Sequence, residues 1–396
     1  MQRNPEGRTS GLKAWLPLLV LAGAVFCFNS SEFMPIGLLS DIGEDLGVAN
    51  STMGLLITVY AWVVCLMSVP LMVVCSRLEY RNLLLGTIAL FAISHVGSAL
   101  SASYGFLMAS RIGVACAHSV FWSIAPPIAV KLAPEGKRAA ALSLIATSTS
   151  VALILGLPIG RAIGLAVGWR ATFGIVAAIS FAILAFLALS FPKMPNTSYV
   201  PPSKVPEYLS NPALVGIFGA VALTILAQFT GYSYIEPFLK TVARMPDALV
   251  TWVLCLYGAA GIAASVLFSK FFERHKRAFA NAAIPGIGIV LLLLLPASAS
   301  WWTMTAAVLL WGMALTIFNL TLQSLEIEAA PPAAVMVATA AYSGIYNFGI
   351  GTGAAIGGVV ERTVSVAWIG IAGAAIALAA MLWYRKVLFP RIRELL

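Results

Sequence analysis

Charge is what this chain of 396 residues has least of. Only 10% of its residues are Asp, Glu, Lys or Arg, while 60% are hydrophobic. A soluble domain carries about 25% charged residues, because a compact body has a large surface to hydrate. Thirty-nine charges (24 basic and 15 acidic) cannot do that here, so most of the chain must be solvated by lipid. Histidine is scarce, with three residues, and the five cysteines (Cys27, Cys65, Cys75, Cys116, Cys255) sit in or beside apolar runs without any C-x-x-C pair. That excludes a disulfide framework or a cysteine metal site and leaves small buried hydrophobes. Neither G-x-x-x-x-G-K-[ST] nor H-E-x-x-H occurs, which removes support for an ATP-driven pump or a metalloprotease. No enzyme activity, cofactor or metal is implied. A convincing cleavable signal is also missing. The first apolar run, Ala14 to about Leu39, is too long for a signal core and reads as an uncleaved first span.

What is present is a succession of apolar runs. Strand-like alternation does not dominate them, so the expected spans are helices. Dividing 396 by twelve gives 33 residues, enough for one span of ~20 and a short loop. The spans fall at 14–39, 51–75, 82–101, 104–131, 138–165 and 170–191, then 213–239, 249–272, 279–298, 301–325, 335–360 and 364–388. Between the sixth and seventh, residues 192–212 hold six prolines (Pro192, Pro195, Pro201, Pro202, Pro206, Pro212) and read as an extended linker. The predicted organisation is a tail at 1–13, a six-helix bundle at 14–191, the linker, a second six-helix bundle at 213–388, and a tail at 389–396. The fold class is all-α integral membrane, with twelve helices.

The net charge of +9 is not a nucleic-acid footprint. If both termini are cytoplasmic, 18 of the 24 Lys and Arg residues fall in the tails, the linker and the loops on that side, the bias expected of a multi-pass inner-membrane protein. The Glu326 and Glu328 connection, which has no base, dissents, but acidic residues weigh little in this rule. The two halves also look repeated. Glu32-Phe33-Met34-Pro35 ends the first span and Glu236-Pro237-Phe238 the seventh. Gly156, Pro158, Gly160 and Gly164 interrupt the fifth, and Gly349, Gly351, Gly353, Gly357 and Gly358 the eleventh. Interrupted helices at corresponding places in two halves are the mark of repeat-built transporters.

An ionisable side chain inside lipid costs roughly 2.5–3.5 kcal/mol on the gentlest scale and needs a partner or a water-filled cavity. Glu32, Arg111, His95, His118 and Glu236 are in that position. Glu32 and Arg111 lie at matching depths, roughly 10–12 Å below one surface at 1.5 Å per residue. They are candidate partners for proton coupling, the competing reading being a permanent ion pair that fixes packing. Arg111, Ala115, His118 and Trp122 form one helical stripe, so His118 and Trp122 face the interior with Arg111 and suit a small polar ligand. His95 reads as a packing residue. Further polar positions are Asn29, Tyr60, Gln228, Tyr232, Glu236, Asn319 with Gln323, Tyr342 with Tyr346, and Asn347. Each could equally be interhelical glue. The Gly156-Leu157-Pro158-Ile159-Gly160 stretch predicts a kinked, tightly packed fifth helix on which the halves rock.

Several stretches together resemble the major facilitator superfamily along the whole chain, and most closely its twelve-span drug/proton antiporters. They are Phe28-Asn29-Ser30-Ser31-Glu32-Phe33-Met34-Pro35, Tyr60-Ala61-Trp62, Ser110-Arg111-Ile112-Gly113, Gly156-Leu157-Pro158-Ile159-Gly160-Arg161 and Tyr234-Ile235-Glu236-Pro237-Phe238. Within that branch the chain is similar to the bacterial sugar-efflux family that exports arabinose and thiogalactosides. The resemblance implies alternating access by two bundles, a cavity lined by helices one, four, seven and ten, and an antiporter motif with Gly156, Pro158, Gly160 and Arg161 at the fifth. One motif departs. Where the loop after span two should read G-x-x-x-D-R-x-G-R-[KR], alignment on Arg77 leaves Met72, Ser76, Glu79 and Tyr80 in its fixed positions.

The expectation is a monomeric proton-coupled exporter of a small sugar or sugar analogue, with protons, the solute and lipid as its partners and no nucleic acid. Glu32 and Arg111 would couple the proton. Asn29, His118, Trp122, Tyr232, Asn319 and Asn347 would contact solute, and Tyr60, Gln228 and Glu236 would extend a polar cavity. A broad drug exporter for phenicol-like compounds is the alternative, and a non-transporting membrane sensor or scaffold the reading from a different class.

Overall fold

The structure, a computed structural model, describes residues 12–75, 78–134, 138–194, 206–207, 210–330 and 335–395. Its long helices are α1 (Leu12–Gly37), α2 (Leu55–Cys75), α3 (Tyr80–Ala99), α4 (Tyr104–Leu132), α5 (Arg138–Val167) and α6 (Trp169–Ser190). After the linker come α7 (Pro212–Tyr232), α8 (Asp247–Phe268), α9 (Arg274–Ala297), α10 (Trp301–Ala329), α11 (Val335–Thr363) and α12 (Ile369–Trp383). Among the described residues nine helices are long and apolar enough to cross a membrane, and α4 makes a tenth as one bent span. Helix is the form required where lipid offers the backbone no hydrogen-bond partner. The starts are set by capping side chains: Ser103 accepts from the Phe106 N–H at α4, and Ser300 from Trp302 at α10. At α7, Asn211 accepts from Ala213, with Pro212 in the first turn.

Two of the connections are tight. Gly168, at φ +89°, turns α5 directly into α6, a backbone region that glycine enters without a Cβ penalty. The helix from Asp247 continues to Ala297 and breaks only at His275, with φ −133° and ψ 33°, so α8 and α9 are joined by far less than the loop expected at 273–278. After α1, a short helix at Leu39–Leu46 closes on Gly47, whose φ is 65°. The expected linker falls partly at 195–205 and 208–209, the tail at 1–11, and Ser76 and Arg77 of the loop after α2; these lie outside the described residues.

The packing repeats with a shift of six helices. In the first half α1 packs on α5, α2 on α4 and α3 on α6. In the second, α7 packs on α11, α8 on α10 and α9 on α12. The seam obeys the same rule, because α2 meets α11 and α5 meets α8. Glycine rows create the closest contacts. A Cβ added at Gly156 would lie 2.6 Å from Ser30, at Gly160 2.7 Å from Met34, and at Gly164 2.5 Å from Leu38, one row of α5 against one row of α1. Gly349, Gly353 and Gly357 of α11 repeat the row against Ile225, Leu226 and Thr230 of α7. Such small-residue rows let membrane helices approach backbone to backbone. Pro158 sits inside α5 without ending it. Its ring nitrogen offers no donor to the ladder of a thirty-residue helix.

This packing predicts a graded result. Gly156→Ala pushes its Cβ to 2.8 Å from the Ser30 Cα, an overpacking worth roughly 1–3 kcal/mol. Detergent-solubilised Gly156→Ala should melt several degrees below wild type, while Gly86→Ala, whose Cβ meets nothing within 4 Å, should melt with it. Equal melting of both variants would show that the α1–α5 approach is not limiting.

Candidate functional site

The polar residues expected in the interior are there. Asn29, Arg111, His118, Gln228, Glu236 and Asn347 are all buried, while leucines, isoleucines and tryptophans such as Leu66, Ile93, Trp252 and Trp302 face outward. The arrangement inverts that of a soluble protein, as a lipid solvent requires.

Arg111 and Glu32 lie at one depth but are not bonded to each other. Arg111 donates from Nη1 to the Ser31 hydroxyl at 3.2 Å and from Nη2 to the Ser31 carbonyl at 3.1 Å. Its guanidinium stands 4.6 Å from the centre of the Tyr60 ring, a cation–π geometry. Glu32 turns instead to His118, with Oε2 3.7 Å from Nε2. The cause is helical: consecutive residues project about 100° apart, so Ser31 faces Arg111 while Glu32 faces the next polar residue of the α4 stripe. Arg111 and Glu32 remain electrostatic neighbours. His118 also meets Tyr60 edge-on at 5.7 Å and Trp122 at 6.1 Å, so the predicted α4 stripe and Tyr60 form one surface.

Sequence reasoning gave Ser31 no role. Its neighbours Glu32 and Asn29 drew attention, yet it is the residue that holds the arginine. Asn29 spends its amide N–H on the Val25 carbonyl of its own helix, at 3.0 Å.

In the second half Tyr232 stacks on Tyr257 at 4.9 Å and meets Trp311 edge-on at 5.7 Å. Gln228 is enclosed by this group. It accepts from the Trp311 indole and donates to the Tyr257 hydroxyl. Both ends of its amide are thereby used, so Gln228 orients an aromatic wall and is not a free cavity group. Asn347 donates to the Ser343 carbonyl at 3.0 Å and keeps its Oδ1 without a protein partner. Tyr60 Oη, His118 Nδ1, Asn319 Oδ1 and Tyr342 Oη are likewise buried without partners. Buried polar atoms are nearly always satisfied, and these five, on α2, α4, α10 and α11, are among those that keep unused bonding capacity. The halves come together here: Phe33 packs on Phe229 at 6.3 Å, and Glu32 is an electrostatic neighbour of Tyr346.

Glu236 is not part of that surface. With Arg161, expected only as a motif residue, it forms the centre of an ion cluster at the end of the molecule away from the linker. Arg161 is fully buried. It donates to the Gly37 carbonyl, to Glu236 Oε1 at 3.2 Å and to Asp247 Oδ1 at 2.6 Å, and lies 3.6 Å from Asp41. Lys240 reaches Asp41, Glu236 and Asp247 at 3.4–3.6 Å. Ser40 donates its N–H and hydroxyl to Glu236 Oε2. The cluster joins α5 and the segment after α1 to the segment between α7 and α8. With Tyr234 donating to the Ser51 carbonyl and Trp62 to Thr352, it supplies the described polar bonds between the halves, and all lie toward this end. Correspondence with the Glu32 motif places Glu236 in the polar cavity; in the structure the short turns at Ile235–Pro237 and Phe238–Val242 instead carry it past the end of α7, still buried.

Comparison with known proteins agrees with this architecture. The structure is similar to a bacterial homologue of the human lysosomal transporter Spinster in an inward-facing, unoccupied conformation, at 17% identity and TM-score 0.67, over 98% of this chain and 95% of that one. It is similar to a mutant form of the peptide transporter POT at 13% identity and TM-score 0.79, over 100% and 97% of the two chains. A POT family transporter in complex with 5-aminolevulinic acid matches at 13% identity and TM-score 0.73, over 93% and 96%. These identities speak for the fold alone. The family model described as Major Facilitator Superfamily matches residues 19–354, most of both halves, and the chain belongs to that superfamily.

Proposed function

We propose that the chain is a proton-coupled antiporter of the bacterial inner membrane, with both termini cytoplasmic, that exports a small sugar or sugar analogue as a monomer by alternating access. The observation that carries this reading is the division of labour around Arg111. The arginine is held by Ser31, so the Glu32 carboxylate, 3.7 Å from His118, is left to exchange a proton beside the residue that would hold solute. The ionised Glu32 carboxylate holds the imidazole through Nε2 and so aims the free Nδ1 at the solute. A proton on Glu32 removes the charge that orients His118, releases the ring and with it the solute. Proton and solute thus compete through one histidine, which is the minimal coupling of an antiporter.

The unsatisfied atoms favour a polyhydroxy solute. His118 Nδ1, Asn319 Oδ1 and Asn347 Oδ1 are acceptors or, for the histidine, either partner, and the Tyr60 and Tyr342 hydroxyls can donate. A sugar hydroxyl both donates and accepts and can serve any of them. The drug reading draws on the aromatic wall of Tyr232, Tyr257 and Trp311. Energetically one proton suffices: ~2.3 kcal/mol per 100 mV and about 1.4 kcal/mol per pH unit support an outward gradient of a few hundredfold. The cycle then requires the Arg161 cluster to open, exposing the site on the other side. No cofactor or covalent step enters.

Three measurements bear on this reading. In proteoliposomes Glu32→Gln should abolish proton-driven efflux while solute binding stays measurable; full coupled transport by the variant would sink the assignment. His118→Ala and Asn347→Ala should each weaken sugar binding by about 1 kcal/mol, roughly fivefold, in a thermal-shift or calorimetric titration against sugars, thiogalactosides and phenicols. Stabilisation by phenicols alone would move the reading to the drug exporter. Arg161→Gln leaves a buried cluster of carboxylates short of a cation, a change of roughly 3–5 kcal/mol. Spin labels on the segments holding Asp41 and Asp247 should report longer separations in the variant, and an unchanged distance distribution would deny the cluster its gating role.

A further inference from the structure

One buried carboxylate takes no part in the mechanism above. Glu326 of α10 is fully buried, one turn from the helix end where Asn211 of the linker donates to the Ala329 carbonyl. Its neighbour Glu328 pairs with Lys276 at 2.7 Å. Glu326 has no cation within ion-pair distance among the described residues; the one side chain that bonds its carboxylate is Thr339 of α11, whose hydroxyl lies 3.3 and 3.5 Å from the two oxygens. A carboxylate in such a place is costly when ionised, and the cost vanishes when it takes a proton.

Its position is as informative as its isolation. Thr339, Tyr342 and Tyr346 are spaced by 3 and 4 along α11 and share one stripe. The two tyrosine rings stack at 6.3 Å, and the buried Tyr342 hydroxyl has no protein partner. Glu326 is an electrostatic neighbour of Tyr342, and Glu32 of Tyr346. Asn319, Gln323 and Glu326 repeat the spacing on α10. Three hydroxyl-bearing residues thus span roughly 10 Å of α11, at 1.5 Å per residue, with Thr339 bonded to Glu326 at one end and Tyr346 within the electrostatic reach of Glu32 at the other. Among the described residues, the titratable group that faces Glu326 from a packed element is Tyr342 on α11, while Glu328 of its own helix is paired with Lys276.

Building on the antiport reading, we propose that Glu326 is a second proton-binding carboxylate of the transport cycle, which takes the proton released by Glu32 along the Tyr346–Tyr342–Thr339 stripe and delivers it at the linker end of the molecule. The proton leaves the Glu32 carboxyl and ends on the Glu326 carboxylate. Each hydroxyl on the way accepts one proton and gives up one, so none changes its net state.

Glu326→Gln tests this sharply, because glutamine keeps an oxygen to accept the Thr339 bond and loses only the titration. In proteoliposomes, Glu326→Gln should lose at least tenfold of pH-gradient-driven efflux and flatten its pH profile, while solute counterflow without a proton gradient stays at the wild-type rate. Thr339→Val, which removes the hydroxyl that bonds Glu326 and leaves the proposed solute contacts in place, should slow driven efflux in the same direction and spare counterflow. If Glu326→Gln drives efflux with the wild-type rate and pH profile, Glu326 is only a tie between α10 and α11, and the proposal falls. If counterflow is lost together with driven efflux, Glu326 belongs to a conformational contact and the proposal falls as well. Glu32→Gln run in parallel separates the two levels: normal driven efflux there overturns the antiport reading itself, whereas a dead Glu32→Gln beside a normal Glu326→Gln overturns only the second site.

Discussion

The cost of an unsatisfied polar group in hydrocarbon governs this molecule. It forces the backbone into helices and turns polar side chains inward. It also makes most of them expend their bonding capacity locally. Ser68, Thr87, Ser119, Ser148, Ser180 and Thr224 each donate to the carbonyl four residues earlier. Asn29 and Asn347 use their amide N–H groups in the same way. After this local settlement few groups are left over. Five of them, on Tyr60, His118, Asn319, Tyr342 and Asn347, lie on α2, α4, α10 and α11.

The same constraint divides the structure into stiff and separable parts. Inside each half the glycine rows of α5 and α11 bring backbones within reach of side-chain and backbone atoms of α1 and α7. A contact that close tolerates no sliding, because even one methyl group would collide. Between the halves the joint is uneven. On one side α11 comes just as close to α2, a Cβ at Gly351 lying 2.8 Å from the Thr58 carbonyl oxygen; on the other α5 and α8 leave an apolar groove lined by Leu155, Pro158, Ile159 and Trp252. The proposed rocking would work across this uneven seam, closing and opening its looser side.

Much of the architecture could be read from sequence because it is written in long runs. Twelve apolar stretches, a proline break midway and glycine rows in the fifth and eleventh spans reflect local chemistry that one sequence exposes. The α4 stripe was equally legible, since Arg111, His118 and Trp122 share one helix and their spacing fixes their common face. Pairings between helices were not. Matching depth and opposite charge joined Glu32 to Arg111 on paper, but depth says nothing about rotation of α1, and a turn of one residue hands the arginine to Ser31. Gln228 looked like a cavity amide because its partners, Tyr257 and Trp311, lie 29 and 83 residues away. Glu236 was placed by analogy with Glu32 at the corresponding point of the repeat. The repeat fails there, since α7 ends at Tyr232 and the buried turns beyond it carry Glu236 to an arginine of the other half.

That failure of symmetry has a mechanical consequence. A buried ion pair split between two moving bodies leaves an uncompensated charge on each, at a cost that would lock the seam. The Arg161 cluster avoids this by its membership. Arg161 has Asp41 and the Gly37 carbonyl within its own half, at 3.6 Å for the carboxylate. Lys240 has Glu236 and Asp247 within the other half, both at 3.4 Å. When the halves part, each cation keeps a carboxylate that travels with it. What is lost is the cross-bonding of Arg161 to Glu236 and Asp247, of Lys240 to Asp41 and of Ser40 to Glu236. The first half is left locally neutral and the second with one excess negative charge, next to water that the opening admits. The cluster therefore closes the seam strongly while each half retains its own counter-ion, so opening it requires rearranged hydrogen bonds and not a bare buried charge.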